Sequence, residues 1–289
     1  MDTEVGRFPC QVDRPEPIKF AWPVVVLPEL FTTAAHLAFL RGYLSSIGWE
    51  VYAPDLRAAA GRPPTPPLVR LHFADLIVLA EEALGALGRE AIAIGHGIGG
   101  LLALALAARP GVKAAVAFAP MIPGFRTPLL MGARNIPAMW FGRALRPPAG
   151  RALFDFVADA EPFQRASLIE GLVRDSPAAA RDIAHSSDVA RGAIDLTLGN
   201  RAGGVRAAPR FIVAGDSDPF APIVPLTAFA NSIGAQLKTL PGRGHWIIGG
   251  RALERAVNEA HRFLVRSLGQ DLLLLFPEEW KSRPDDENG

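Results

Sequence analysis

The chain of 289 residues is 49% hydrophobic and carries 30 basic against 29 acidic side chains. The balanced charge gives no field that would steer the protein to nucleic acid or a membrane surface, and no apolar run approaches the roughly 18–20 residues that span a bilayer. Cys10 is the single cysteine, so an internal disulfide is excluded. The polar N-terminus lacks the apolar stretch of a secretory signal, and we therefore expect a cytoplasmic protein.

The predicted elements alternate between strand and helix after a polar N-terminal tail at residues 1–16. The unbroken β-branched run at 24–27 predicts a strand buried on both faces. Further strands are predicted at 49–53, 91–94, 112–119, 209–214 and 235–240. Helices are predicted at 33–47, 69–87, 101–108, 223–233 and 251–268. This alternation indicates an α/β fold with a mostly parallel, doubly wound sheet.

The alternation breaks at residues 121–192, where proline-punctuated apolar residues and short helical stretches replace the strand pattern. An insertion between two strands of one sheet is expected to fold as a helical lid over the strand ends. The predicted organisation is therefore a core at 17–120 and 193–268, the lid at 121–192, and a C-terminal extension at 269–289.

The segment 95–100 reads Gly-His-Gly-Ile-Gly-Gly and lies between a predicted strand and a predicted helix. This is the context in which G-x-S-x-G presents a nucleophilic serine on a strained turn, but the middle residue here is Gly97. The strained backbone of such a turn costs another residue type roughly 1–3 kcal/mol, whereas glycine adopts it almost freely. The turn is therefore predicted to form without a nucleophilic oxygen.

Three more segments follow predicted strands: Tyr-Ala-Pro-Asp-Leu-Arg at 52–57, Gly-Asp-Ser-Asp-Pro-Phe-Ala-Pro at 215–222 and Pro-Gly-Arg-Gly-His-Trp at 241–246. With the turn at 95–100, and in this order, they resemble the α/β-hydrolase superfamily over about residues 20–268. The similarity is to the lid-bearing esterase and lipase-like branch, with glycine in place of the nucleophilic serine. The resemblance implies the α/β-hydrolase fold, with the family's N-terminal antiparallel strands shortened or absent.

The resemblance also implies a role for each matching position. His245 is the expected general base and Asp218 the carboxylate that orients it, with Asp216 as the alternative acid. The backbone N–H groups of Leu30 and Ile98 are the expected donors of the oxyanion hole.

Glu29 departs from the family pattern, because the first parallel strand is followed by Pro28-Glu29-Leu30 rather than by His-Gly. An ionised carboxylate beside the oxyanion hole would oppose a developing oxyanion. Glu29 is therefore either a catalytic base or acid in an apolar pocket, or a turn residue that faces solvent or pairs with an arginine such as Arg126 or Arg134.

Two functions remain open. The first is a hydrolase-like or lyase-like enzyme that acts on a small apolar ester, thioester or related metabolite through the Asp218–His245 pair without a serine nucleophile. The second is a catalytically silent pseudo-hydrolase that binds a ligand or a partner. The candidates for contact with the apolar molecule are Phe31, His96, Phe125 and Trp140.

The remaining histidines show no spacing typical of a metal site, and the other glycine-rich spots lack the register of a nucleotide-binding loop. These histidines are His36, His72, His185 and His261. We therefore expect no metal and no cofactor. The sequence leaves the oligomeric state open.

Overall fold

The computed structural model describes residues 2–125, 133–184 and 208–273. Its strands are β1 (Asp2–Val5), β2 (Phe8–Asp13), β3 (Val24–Leu27), β4 (Val51–Pro54), β5 (Ala91–His96), β6 (Val112–Phe118), β7 (Arg210–Gly215) and β8 (Gln236–Leu240). Its α-helices are α1 (Ala38–Ser46), α2 (Phe73–Ala86), α3 (Ile98–Leu106), α4 (Ile136–Phe141), α5 (Arg151–Phe156), α6 (Pro162–Glu170), α7 (Pro177–Ala184), α8 (Ile223–Ser232), α9 (Leu253–Leu268) and α10 (Gln270–Leu273). Short 3₁₀ helices occur at Ala34–Leu37, Leu56–Ala59, Leu68–Arg70, Ala133–Asn135 and Gly250–Ala252.

The strands form one eight-stranded sheet in the order β1-β2-β4-β3-β5-β6-β7-β8. Every pairing from β4 to β8 is parallel, which confirms the predicted α/β class. All residues of β3 and β5 are buried, because helices cover both faces of a parallel sheet. Helix α3 is buried along its whole length, consistent with its almost entirely apolar sequence.

The expected N-terminal tail is wrong, because residues 2–13 form two antiparallel strands, which are therefore not absent. Strands β1 and β2 pair antiparallel, and β2 continues the sheet against β4. Phe8, Cys10 and Val12 alternate with more exposed residues and are 0%, 3% and 5% exposed, which is the period-2 pattern of a strand with one buried face. Burial also raises the pKa of the Cys10 thiol to about 11.

The four segments that carry the candidate site begin where parallel strands end. Glu29 follows β3, Gly97 follows β5, Asp218 follows β7 and His245 follows β8. Since the carboxyl ends of parallel strands share one edge of the sheet, residues distant in sequence converge there.

The stretch between β6 and β7 contains helices α4 to α7 in its described part. Helix α7 packs against both α2 and α4, so the insertion is docked on the core. The end of the predicted lid at 192 falls outside the described residues, and its role as a lid stays a prediction. Of the predicted extension at 269–289, residues 269–273, which include α10, belong to the described part. No helix among the described residues is both long and apolar enough to cross a membrane.

Candidate active site

The turn between β5 and α3 has the strained backbone that the sequence predicts. Gly97 adopts φ 53° and ψ −115°, a conformation that favours glycine. A Cβ on Gly99 would lie 2.2 Å from the carbonyl oxygen of Leu27, and one on Gly95 would lie 2.0 Å from that of Gly99. The small residues on either side of Gly97 therefore allow α3 to begin directly against the ends of β3 and β5.

The carboxylate of Glu29 fills the space that a side chain at position 97 would occupy. A Cβ on Gly97 would lie only 0.8 Å from Oε2 of Glu29, and Glu29 is 0% exposed. Glu29 therefore does not face solvent. Arg134, one suggested partner, instead donates to the carbonyl oxygen of Pro147, and Arg126, the other, lies outside the described residues.

The other oxygen of Glu29 lies between the two N–H groups expected to form the oxyanion hole. Oε1 accepts hydrogen bonds from Leu30 N–H at 2.5 Å and from Ile98 N–H at 3.2 Å. Hydrogen bonds to a carboxylate are stronger than those to a neutral acceptor. The N–H pair thus binds the protein's own carboxylate in this structure.

His245 lies between two carboxylates. Its Nδ1 is 2.8 Å from Oδ2 of Asp218, and its Nε2 is 3.4 Å from Oε2 of Glu29. Burial lowers the pKa of His245, but the negative charges of Asp218 and Glu29, together with the hydrogen bond to Asp218, outweigh it and raise the pKa to about 10. His245 is therefore an imidazolium at neutral pH while both carboxylates face it.

Asp218, rather than Asp216, is the acid beside His245. Oδ1 of Asp218 accepts a hydrogen bond from Phe220 N–H at 2.7 Å, which leaves Oδ2 for the imidazole. Asp216 is exposed and accepts from Gly242 N–H and from the Ser217 hydroxyl. The two carboxylates have different roles because Asp216 stabilises the turn itself.

His96 packs against His245, with ring centroids 4.7 Å apart. Its Nε2 lies 2.9 Å from the backbone carbonyl oxygen of His245, and its Nδ1 lies 3.8 Å from Oε2 of Glu29. Burial, together with the charge of His245, lowers the pKa of His96 well below the usual histidine value. His96 is thus a neutral ring within the site, where sequence reasoning proposed it as a substrate contact.

Sequence reasoning missed the side chains that hold the Glu29 loop. Arg57 donates to the carbonyl oxygen of Glu29 at 2.7 Å and pairs with Asp175. Asp175 in turn accepts from the backbone N–H of Phe31 at 2.7 Å, and Phe31 has a left-handed φ of 66°. Arg57 belongs to a segment that the sequence singled out, but no local signal connects it to Asp175.

Aromatic side chains surround the imidazole of His245. Phe220 lies 5.0 Å and Phe156 lies 5.5 Å from it between ring centroids, and Phe156 comes from the insertion. Among the other proposed substrate contacts, Phe31 is buried beside the Glu29 loop. Phe125 packs instead against a smaller apolar cluster that includes Ile122 and Leu226, and the side chain of Trp140 is outside the described part of the structure.

The parallel sheet and the residues at its strand ends define a hydrolase-type α/β protein, and comparison with known proteins agrees. The chain matches the model of the alpha/beta hydrolase family over residues 20–259. It therefore belongs to the alpha/beta hydrolase family, as the sequence resemblance implied. No curated protein sequence matches it.

Solved structures share the fold at low sequence identity. A monoacylglycerol lipase from Paleococcus ferrophilus is 17% identical with a TM-score of 0.63, over 89% of this chain and 98% of that one. A carboxylesterase structure from Nitrososphaera gargenis is 16% identical with a TM-score of 0.64, over 93% of this chain and 99% of that one. The thioesterase domain from the curacin biosynthetic pathway is 18% identical with a TM-score of 0.59, over 92% of this chain and 98% of that one.

Proposed function

We propose that the protein is a hydrolase-like enzyme in which Glu29 replaces the missing serine and acts with His245 and Asp218. The observation that carries this proposal is the position of Glu29 Oε2, 0.8 Å from where a Cβ on residue 97 would be and 3.4 Å from Nε2 of His245. The reactive oxygen has thus moved from the residue after β5 to the loop after β3. Carboxylates serve as nucleophiles in several enzyme classes.

The occupied N–H pair determines which carbon such an enzyme attacks. An acyl substrate would need the N–H groups of Leu30 and Ile98 for its own developing oxyanion, but Glu29 Oε1 already accepts from both. The same pair is placed to stabilise a tetrahedral centre formed on Cδ of Glu29. This arrangement favours attack of Glu29 on an alkyl carbon that carries a leaving oxygen, sulfur or halogen.

In the first step, a lone pair of Glu29 Oε2 forms a bond to the alkyl carbon. The bond to the leaving atom breaks with its electron pair on that atom, and an oxygen or sulfur leaving atom takes the proton of the His245 imidazolium. Esterification neutralises Glu29, so one of the two charges that raise the pKa of His245 is removed. When a halide leaves, the imidazolium gives its proton to solvent water instead. The neutral imidazole is then ready to act as a base.

In the second step, His245 takes a proton from water as the water oxygen bonds to Cδ of Glu29. Negative charge gathers on Oε1 between the two N–H groups. The bond from Cδ to Oε2 then breaks, and the departing alkoxide takes the proton of the new carboxyl group. The cycle ends with the alcohol product, an ionised Glu29 and a protonated His245.

The proposed substrate is a small apolar ester, thioester or related metabolite that is cleaved at the alkyl carbon bonded to its leaving oxygen, sulfur or halogen. The aromatic rings of Phe156 and Phe220 around His245 support an apolar molecule. The same groups also support a lyase-like reaction in which Glu29 removes a proton and no bond to it forms.

The test combines a substrate panel with isotope labelling. We would assay the wild type and Glu29→Gln with p-nitrophenyl esters, which report attack on an acyl carbon, and with epoxides and benzyl halides, which report attack on an alkyl carbon. Turnover of the second group in H₂¹⁸O is expected to place ¹⁸O in the peptide that contains Glu29, read by mass spectrometry, and His245→Gln is expected to accumulate an alkylated Glu29. Turnover that survives Glu29→Gln would overturn the proposal, while turnover that requires Glu29 but leaves it unlabelled supports the lyase-like variant.

A specific observation favours the alternative of a silent pseudo-hydrolase. Glu29, His96 and His245 are each 0% exposed, so a substrate reaches them only if covering side chains move. On this alternative the whole panel is inert, and small apolar molecules shift the melting temperature equally for the wild type and Glu29→Gln.

A further inference from the structure

We propose that Glu29, His96 and His245 form a binding site for a divalent transition-metal ion of the Zn²⁺ class. Oε2 of Glu29, Nδ1 of His96 and Nε2 of His245 all lie within 4.8 Å of one another. Each of these atoms is buried and has no hydrogen-bond partner among the described residues. Three unpartnered polar atoms that converge on one buried point are costly unless something binds them.

The other polar atom of each side chain is already held. Oε1 of Glu29 accepts two backbone hydrogen bonds, Nδ1 of His245 lies 2.8 Å from Asp218, and Nε2 of His96 lies 2.9 Å from a backbone carbonyl oxygen. Histidines that bind metals almost always donate their second N–H to a carboxylate or a backbone carbonyl. Both histidines here have such a partner, so their free nitrogens are oriented toward the centre.

The chemistry of the free atoms calls for a cation. A carbonyl oxygen only accepts, so the proton of neutral His96 lies on Nε2 and its Nδ1 presents a lone pair. That lone pair faces Oε2 of Glu29, a second acceptor, at 3.8 Å. The proton on His245 Nε2 is 3.4 Å or less from Oε2 but leaves His96 Nδ1 without a donor, whereas a metal ion that replaces this proton binds all three side chains.

The donor set and its dimensions select the class of ion. Zn²⁺ binds nitrogen and oxygen at about 2.0–2.2 Å, so the donor atoms of a tetrahedral site lie roughly 3.3–3.5 Å apart. Two of the observed separations are 3.4 Å and 3.8 Å, and the two imidazole nitrogens lie within 4.8 Å of each other, so the donor atoms would move closer together when the ion binds. Two imidazoles and one carboxylate suit Zn²⁺, Co²⁺ or Fe²⁺ rather than Mg²⁺ or Ca²⁺, which prefer oxygen ligands.

Metal binding and the proposed reaction exclude one another on the same protein molecule. The ion would take Oε2 of Glu29, the proposed nucleophile, and would replace the proton on Nε2 of His245, the proposed proton donor. The site itself does not rest on the proposed function, because binding is measured without any substrate. We expect the metal-free protein to catalyse the proposed reaction and the loaded protein to be inactive in it.

The experiment measures metal content and affinity in the full chain. Because the site is buried, we would load it by expression in medium with added Zn²⁺ or Co²⁺, and then remove the metal with a chelator and titrate it back. The expected result is one ion per chain by elemental analysis and visible d–d absorption from bound Co²⁺. Glu29→Gln and His96→Gln are each expected to weaken binding by more than the roughly 10–100-fold that outer hydrogen-bond partners contribute.

Matched variants keep the result interpretable. His72→Gln changes a half-exposed histidine that pairs with Asp182, and it is expected to bind as the wild type does. Glu29→Gln retains a side-chain oxygen for the N–H pair, so its circular dichroism and melting curve show whether the fold is kept. Less than one tenth of an ion per chain after loading, or equal affinity in the wild type and folded Glu29→Gln, would overturn the metal site and leave the proposed function untouched.

Discussion

The loops after β7 and β8 and the loops after β3 and β5 build two halves of one site, and the two halves match the family pattern to different degrees. In the first half, Asp218 and His245 are paired as the sequence resemblance implies. In the second half, a glycine stands at the nucleophile position and a glutamate fills the space above it. The comparison teaches that the Asp218–His245 pair is present while the space at position 97 is filled from another strand end, by the carboxylate of Glu29.

The difference also changes what the N–H groups of Leu30 and Ile98 do. In a serine-based site these donors stabilise the negative charge that develops on the substrate in the transition state. Here they hold Oε1 of Glu29, and Oε2 is thereby oriented toward His245. The loops after β3 and β5 therefore hold the Glu29 carboxylate in one orientation, with Oε1 on the two N–H groups and Oε2 toward His245.

The largest expected effect is on turnover and comes from replacing Glu29, in the half of the site that departs from the family pattern. Glu29→Gln removes the charge and the nucleophilic oxygen while it keeps the shape, so turnover of the substrate found in the panel should fall by up to about 10⁶-fold, as for loss of a nucleophile. Steady-state kinetics with purified protein measure the fall. Glu90→Gln, which changes a glutamate paired with Lys113, is the matched control, and an equal fall in both variants would contradict a specific role for Glu29.

A second prediction tests whether the two halves can be made to match the usual pattern. Gly97→Ser alone should not yield esterase activity and should lower the melting temperature, because its Cβ would lie 0.8 Å from Glu29 Oε2 and its backbone would carry roughly 1–3 kcal/mol of strain. The double variant Glu29→Gly with Gly97→Ser removes that contact and frees both N–H groups. We expect the double variant to hydrolyse p-nitrophenyl esters above both single variants. Activity in Gly97→Ser equal to that of the double variant would show that Glu29 does not block the site.

A smaller effect, on the free energy of unfolding and spread over several pH units, comes from the pair Asp218 and His245. The folded state raises the pKa of His245 to about 10, whereas an unfolded histidine titrates near about 6.5. The contribution of protonated His245 to the free energy of unfolding is therefore complete below about pH 6.5 and is lost as the pH rises to about 10. Urea unfolding of the wild type and Asp218→Asn should show a stability difference that narrows over this range, and a difference independent of pH would contradict the imidazolium assignment.

Much of the fold follows from local patterns in the sequence. The run at β3 and the apolar stretch at β5 predict buried strands because β-branched and apolar residues fill a surface covered on both faces. The same reasoning did not predict the hairpin of β1 and β2, because the prolines and polar residues around Phe8, Cys10 and Val12 make their apolar alternation hard to recognise.

Within the site, the sequence by itself determined the strained turn at Gly97 and, through the resemblance, the pair Asp218 and His245. Only the tertiary structure decided that Glu29 fills the place of the missing side chain and that His96 joins it. The physical reason is distance along the chain: 69 residues separate Glu29 from Ile98, and 149 separate His96 from His245. A local pattern reports propensity and burial, whereas the direction of a buried carboxylate depends on donors and acceptors that the sheet brings together from four strand ends.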